Sequence, residues 1–150
     1  MKQIIFIFKY IEHIIFSKNR CNIQSSYLFD FVHNIIDVKN NNKDLKKIDK
    51  LRQKLYQNNN IIEILDLGAG SHINNSTKRK IKDIARNSAK NQKFGQLLYR
   101  IVKYYRPKNI LELGTSLGVS TTYLAMGNQE GEVFTLEGCP ETAKIAKKNF

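Results

Sequence analysis

The most constraining stretch of this 150-residue chain lies near its end, where two short apolar runs flank a glycine loop. Asn109–Leu113 and Val133–Leu136 have the length and apolar character of buried strands. Gly114–Gly118 between them is a tight loop, and Ser120–Met126 has the composition of a helix. The order strand, loop, helix, strand predicts one βαβ unit, which is the beginning of a doubly wound α/β sheet.

The same pattern predicts how the sheet continues. A further helix begins at Pro140 and is still running at Phe150. Two strands cannot bury the apolar faces of the helices around them. We therefore expect a Rossmann-like fold that is truncated at residue 150, with the chain being the amino-terminal part of a longer protein.

The segments before the sheet are mostly helical in character. Residues 1–60 are predicted to form a helical N-terminal region, and residues 61–108 a strand–turn and helices leading into the start of the Rossmann-like domain at 109–150. The predicted elements are a helix capped by Ser25 or Ser26, a helix capped by Asp44 that runs to about Tyr56 with Leu45, Ile48, Leu51 and Leu55 buried, a strand at Ile61–Leu67, a basic helix at 77–91, and a helix at 92–105 whose apolar face is Phe94, Leu97, Leu98, Ile101, Val102 and Tyr105.

The N-terminus is apolar but too interrupted to cross a membrane. Ile4–Phe8 is followed by Lys9, Glu12 and His13, whereas a spanning helix needs about 20 mostly apolar residues. No small-residue cleavage site follows, so a signal peptide is not predicted. We expect an amphipathic helix that packs on a core or a partner, with attachment to a membrane surface as the alternative.

The net charge of +12 is unevenly distributed. Residues 1–60 hold 11 basic and 5 acidic side chains, residues 61–108 hold 11 and 3, and residues 109–150 hold 3 and 5. Such a basic region could attract a nucleic acid or an anionic membrane. A solvated lysine-rich surface is the simpler interpretation, because 19 Lys, 19 Ile and 16 Asn indicate a biased composition. Two cysteines exclude a disulfide framework and favour a cytoplasmic location.

The glycine loop carries the features that predict a ligand. Glu112 lies in the first strand, and Gly114 and Gly118 permit unusual backbone angles and close approach of a ligand. Gly118 opens a helix where backbone N–H groups are free. Glu137 ends the next strand, 19 residues beyond Gly118, where a carboxylate can accept both hydroxyls of a ribose. Together these features predict an adenosine-type cofactor.

Electrostatics favours one such cofactor over the others. A dinucleotide fingerprint places Gly-x-Gly-x-x-Gly beside a pyrophosphate, but Glu112 occupies the first glycine position here. A carboxylate at that point would repel two phosphates. S-adenosylmethionine carries a sulfonium and an ammonium group and no phosphate, so it is the predicted cofactor.

A second string resembles the same loop. Ile64–Ser71 reads as strand, acid and glycines, but the region about 20 residues later is helical and basic rather than a strand ending in an acid. His72 also occupies the third glycine position. We interpret this string as a strand–turn that caps or borders the true site.

The sequence resembles the class I S-adenosylmethionine-dependent methyltransferases, and within them a bacterial O-methyltransferase-like group. The resemblance is carried by ILELGTSLGVSTTYLA (110–125) and VFTLEGCPETAKIAKKNF (133–150). It extends upstream through LDLGAGS (65–71) and FGQLLYRIVKYYRPKNI (94–110). It implies a seven-stranded sheet, most of whose strands would lie beyond residue 150, together with the substrate pocket and any catalytic base.

The resemblance also implies which residues bind the cofactor. Glu112, Gly114 and Gly118 would line its methionine and ribose part, with Thr115 and Ser116 beside it. Glu137 would hold the ribose hydroxyls, and Gly138 and Cys139 would lie near the adenine. The cofactor-binding set is Glu112, Gly114, Thr115, Ser116, Gly118, Glu137 and Gly138.

Other groups of residues in the sequence do not predict a further catalytic, metal or binding site. His13, His33 and His72 lack the spacing of metal ligands, so no metal site is predicted. Neither cysteine lies in a nucleophile motif. An aromatic and basic cluster could bind RNA, although its helical spacing favours a half-buried helix face. Its members are Tyr99, Arg100, Lys103, Tyr104, Tyr105 and Arg106.

These observations predict an S-adenosylmethionine-dependent methyltransferase that acts on a hydroxyl of a small molecule. No catalytic residue is assigned, and the oligomeric state stays open. A nucleic acid is the alternative partner. The alternative function is a non-catalytic, truncated Rossmann-like fragment or a nucleic-acid-binding module with a basic helical arm.

Overall fold

A computed structural model describes residues 2–16, 23–38, 45–65 and 77–150 of the chain. The chain divides into two compact units, Met1–Val38 and Lys39–Phe150. The predicted functional division at residues 60 and 108 stays a prediction.

The first unit is helical, as predicted. Helix α1 spans Lys2–Phe16, and α2 spans Ser26–Phe31 and continues into a π-helical segment at Val32–Ile36. The Ser25 hydroxyl accepts a hydrogen bond from the Leu28 N–H at 3.3 Å, which confirms the predicted serine cap. The α1 side chains from Ile4 onward are exposed, and their packing on a core or a partner stays a prediction. None of the helices in the described ranges is long and apolar enough to cross a membrane.

The second unit begins with the predicted third helix, α3, at Lys46–Gln57. Its predicted cap, Asp44, lies outside the described residues. The predicted stripe faces the core: Leu45, Ile48 and Leu55 are buried and Leu51 is half-buried. The sequence did not predict that Arg52 is buried on the same helix.

The predicted basic helix over 77–91 is wrong at its beginning. Lys78–Lys80 is a strand, β2, which pairs antiparallel with β1 at Ile61–Glu63, and α4 occupies only Ile81–Asn87. Apolar residues at helical spacing begin only at Ile81. The three preceding basic residues therefore have no apolar face that packing could stabilise as a helix. Their backbone instead pairs with the N–H and C=O groups of β1, which would otherwise lack partners. The predicted strand at Ile61–Leu67 is correspondingly shorter.

Helix α5 spans Gln92–Tyr105, as predicted, and most of its predicted face turns inward, since Val102 is buried and Leu97, Leu98 and Ile101 are half-buried. Gly95, Tyr99 and Val102 are buried, whereas Phe94 and Tyr105 of the predicted face are 54% and 43% exposed. The glycine decides which face turns inward, because it lets the next helix approach closely.

The predicted βαβ unit is confirmed. Strand β3 (Asn109–Leu113) pairs in parallel with β4 (Glu132–Leu136), with α6 (Val119–Gly127) between them and α7 (Pro140–Lys147) after β4. One face of the pair is half-buried. The other carries apolar side chains that are 52–76% exposed: Leu111, Leu113, Phe134 and Leu136.

One hydrophobic core joins α3, α4, α5 and α6 within the second unit. It includes Leu117 of the glycine loop and Tyr123 of α6, both at most 1% exposed. The loop after β3 is therefore held to the packed core at Leu117.

Candidate cofactor site

The glycine loop crosses the carboxyl ends of the two parallel strands. The N–H groups of Gly114 and Thr115 both donate to the Leu136 carbonyl, at 2.8 and 3.1 Å. The Gly118 N–H then donates to the Thr115 carbonyl at 2.9 Å, which closes the loop. Ligands of open α/β sheets bind at this edge.

Two glycines adopt backbone angles that other residues rarely take. Gly114 has φ +95°, and a Cβ added there would meet nothing within 4 Å. Gly118 has φ +80° at the cap of α6, and a Cβ there would lie 2.8 Å from the Phe150 ring. The space beside Gly114 therefore lets another molecule approach the main chain.

Glu137 connects the loop to the turn that follows β4. Its Oε2 accepts a hydrogen bond from the Ser116 N–H at 2.7 Å, and its Oε1 accepts one from the Cys139 N–H at 2.8 Å. A carboxylate oxygen has two lone pairs, so each oxygen can accept a second hydrogen bond. The carboxylate is thus fixed in orientation while it keeps capacity for a pair of hydroxyl groups.

A cavity of about 270 Å³ lies beside this carboxylate. Ser116, Glu137 and Gly138 of the predicted set line it, together with Arg79 of β2. Its volume is near the lower end of small-molecule sites, about 300 Å³, and suits part of a cofactor. The cavity brings together residues from the glycine loop, the turn after β4 and the β1–β2 pair.

Glu112 occupies a different position from Glu137. It lies opposite Thr135 in the strand register, and its Oε2 accepts hydrogen bonds from the hydroxyls of Thr135, at 2.7 Å, and Thr121. The Thr115 hydroxyl in turn lies 2.5 Å from that of Thr135. Among the described residues, those that line the 270 Å³ cavity do not include Glu112 or Thr115.

Cys139 ties the turn after β4 to β1. Its Sγ accepts a hydrogen bond from the Leu65 N–H at 3.4 Å, and its thiol donates to the Glu63 carbonyl at 3.8 Å. Burial by itself raises the pKa of the thiol, but hydrogen bonds from Thr142, Leu65 and Glu141 outweigh burial, so the pKa lies below its ordinary value. Cys139 is 3% exposed and forms part of the cavity wall.

The second glycine string is described only at its start. Ile64 and Leu65 line the cavity, and the remainder, from Asp66 through Ser71, lies outside the described residues. Sequence reasoning missed the participation of Thr135 and Thr121 in this region. The alternation of side chains along the strands could have indicated Thr135, because residues in register on parallel strands share a face.

The aromatic and basic cluster on α5 is partly buried, as its helical spacing indicates. Tyr99 is 3% exposed, and the Lys103 ammonium donates to its hydroxyl at 3.3 Å. Burial lowers the pKa of Arg100 from its ordinary value. The Tyr99 ring cannot stack on a base in this arrangement. Among the described residues, no three His, Cys, Asp or Glu side chains cluster as metal ligands.

Comparison with known proteins finds a stretch of this chain that is similar to an O-methyltransferase. The chain is 40% identical over 57 residues to a catechol O-methyltransferase from Niastella koreensis, an alignment that covers 37% of this chain and 26% of that protein. It also aligns with the crystal structure of an O-methyltransferase from Bacillus cereus in complex with SAH, with 23% identity and a TM-score of 0.42. That alignment covers 82% of this chain and 43% of the other. No protein-family profile matches the chain.

Proposed function

We propose that this chain is part of an S-adenosylmethionine-dependent methyltransferase and contributes its cofactor-binding edge. The proposal rests on the position of Glu137 and on the resemblance to O-methyltransferases. Because the chain spans 26% of the curated relative's length and 43% of the solved structure's, the activity of a whole enzyme is part of the proposal.

The observation that carries the proposal is the way Glu137 is held. Backbone N–H groups of Ser116 and Cys139 fix both carboxylate oxygens at the mouth of the cavity. A carboxylate so fixed loses little conformational entropy when it accepts a vicinal diol, so its hydrogen bonds contribute to affinity. The ribose of the cofactor supplies such a diol.

The remaining residues also suit this cofactor. Gly114 leaves open space where the main chain can be approached, and Ser116 and Gly138 line the cavity beside Glu137. In this proposal Gly114, Thr115, Ser116 and Gly118 form the loop beside the methionine part. Glu137 is a negative group near a cofactor that carries positive charge and no phosphate. Arg79 at the same cavity is the feature that would instead suit a phosphate.

The acceptor that we propose is a hydroxyl group of a small molecule, since the sequence relative is named a catechol O-methyltransferase. The cofactor supplies an electrophilic methyl group on sulfur when it is bound. Transfer of that methyl group would form a bond to the acceptor oxygen, break the carbon–sulfur bond and release the hydroxyl proton to solvent. The residues of this chain would hold and orient the cofactor for an in-line approach.

Parallel calorimetric titrations of the chain with S-adenosylhomocysteine and with NAD test the proposal. Binding of S-adenosylhomocysteine and no measurable binding of NAD is the expected result, because NAD would bring two phosphates to the glycine loop, where Glu112 occupies the first glycine position of the dinucleotide fingerprint. Binding of NAD alone would assign the cavity and Arg79 to a dinucleotide and would overturn the proposal.

A further inference from the structure

A chain of hydroxyl groups runs from the glycine loop to the carboxylate of Glu112. Thr115 in the loop is 5% exposed, and its Oγ1 lies 2.5 Å from Oγ1 of Thr135 on β4. Thr135 donates in turn to Oε2 of Glu112 on β3, at 2.7 Å. The three residues belong to three different elements and meet beneath the loop.

The direction of these hydrogen bonds follows from the number of protons available. A carboxylate only accepts, so the single hydroxyl proton of Thr135 is used on Glu112. Thr115 must therefore be the donor in its bond to Thr135. Thr121 of α6 donates to the same Oε2 of Glu112 from the other side. The Glu112 carboxylate therefore makes Thr135 and Thr121 hydrogen-bond donors, and through Thr135 it makes Thr115 a donor as well.

The chain of hydrogen bonds acts on the part of the loop that faces the open space. Thr115 directly follows Gly114, and the N–H groups of both residues donate to the Leu136 carbonyl. Gly114 is held at φ +95° with no atom within 4 Å of an added Cβ. Anchoring the Thr115 side chain therefore restrains the backbone next to the open space at Gly114.

We propose that Glu112 is a positioning residue, which fixes the glycine loop through Thr135 and Thr115 before a ligand arrives. This role differs from direct contact with the methionine part of the cofactor, which the resemblance to methyltransferases implies for the same residue. Its consequence for ligand affinity rests on the proposed function. The restraint on the loop does not, because it is a property of the ligand-free chain.

Amide hydrogen exchange on the ligand-free chain tests this restraint. Thr135→Val keeps the volume of the side chain and removes the hydroxyl, and it lies outside the predicted cofactor-binding set. We expect the amides of Gly114 and Thr115 to exchange about three- to tenfold faster, as the loss of one hydrogen bond implies. Thr135→Ser, which restores the hydroxyl, is expected to return exchange to the wild-type rate.

The matched control is Thr142→Val on α7. Thr142 is also 5% exposed, and its hydroxyl donates to the Cys139 carbonyl rather than to this chain of bonds. Its removal should leave the Gly114 and Thr115 amides unchanged. Equal acceleration in the control, or failure of Thr135→Ser to restore the rate, would show a general packing effect and overturn the proposal.

A titration with S-adenosylhomocysteine separates this proposal from the proposed function. If the wild-type chain binds it, Thr115→Val and Thr135→Val should each weaken binding about three- to tenfold, and the double variant should be no weaker than either. Unchanged binding in both single variants would overturn the functional consequence. If the wild-type chain does not bind it, the proposed function fails, and the exchange rates still decide the role of Glu112.

Discussion

The carboxylate of Glu137 and the N–H of Ser116 lie 2.7 Å apart, although 21 residues separate them in the chain. This hydrogen bond joins the loop after β3 to the residue that directly follows β4. The other carboxylate oxygen binds the Cys139 N–H, so the same side chain also fixes the turn into α7. One side chain thereby aligns the two segments that border the cavity.

Gly114→Ala is expected to reduce stability modestly and to reduce ligand affinity more. An L-residue at φ +95° carries a backbone strain of about 1–2 kcal/mol, while the new methyl group meets no protein atom. The methyl instead occupies the space proposed for the cofactor. Urea unfolding and S-adenosylhomocysteine titration measure the two effects, with exposed Lys93→Ala as the control. Full affinity in the alanine variant would show that no ligand approaches the loop here.

Gly95→Ala is expected to destabilise the second unit strongly. An added Cβ would lie 2.2 Å from Cε2 of Tyr123, which is fully buried on α6 and cannot move aside. Overpacking of this kind costs about 1–3 kcal/mol. Urea unfolding compared with Lys93→Ala on the same helix checks the prediction. Equal urea midpoints of unfolding for Gly95→Ala and Lys93→Ala would contradict the close approach of α5 and α6.

Tyr123→Phe is expected to stabilise the chain, and more so at high pH. The Tyr123 hydroxyl is buried and has no hydrogen-bond partner among the described residues, so its removal should gain about 1 kcal/mol at pH 7. Desolvation raises the pKa of this phenol, with a smaller opposing contribution from Arg52. A phenol whose pKa is raised on folding gives stability that is full below its unfolded pKa and is lost as the pH rises past it.

The gain from Tyr123→Phe should therefore increase as the pH rises through and beyond about 10, the ordinary pKa of tyrosine. Urea unfolding of both proteins at pH 7, 9 and 10.5 measures this difference, and the contributions of other titrating groups cancel between them. If the difference in unfolding free energy between Tyr123→Phe and the wild type shrinks over this pH range, the phenolate of Tyr123 is stabilised inside the fold and the prediction is contradicted.

Local patterns in the sequence were sufficient for the βαβ unit and for the serine cap of α2. Apolar runs of strand length around a glycine loop define β3, α6 and β4 with little help from distant residues. The strand Lys78–Lys80 was not predictable in this way, because it forms only to pair with Ile61–Glu63. The buried face of α5 depended on Gly95, whose role becomes visible only when Tyr123 packs against it.

The candidate site shows the same division between local and distant contacts. Glu137 and the glycines follow from spacing along the chain. The hydrogen bonds of Cys139 to Leu65 and Glu63 span more than 70 residues, and no pattern in the sequence indicates them. Arg52 was unexpected in the core, where it donates to the Lys90 carbonyl at 2.6 Å and the Tyr56 hydroxyl at 2.7 Å.

The most direct measurement is calorimetric titration of Glu137→Ala with S-adenosylhomocysteine beside the wild-type chain. Glu132→Gln, an exposed carboxylate at the opposite end of β4, is the matched control. We predict that Glu137→Ala loses about 1–3 kcal/mol of binding free energy, about 5- to 150-fold in Kd, because the ribose hydroxyls lose their acceptor, while Glu132→Gln binds as the wild type does. Equal affinity in the wild type and in Glu137→Ala would contradict the assignment of this site.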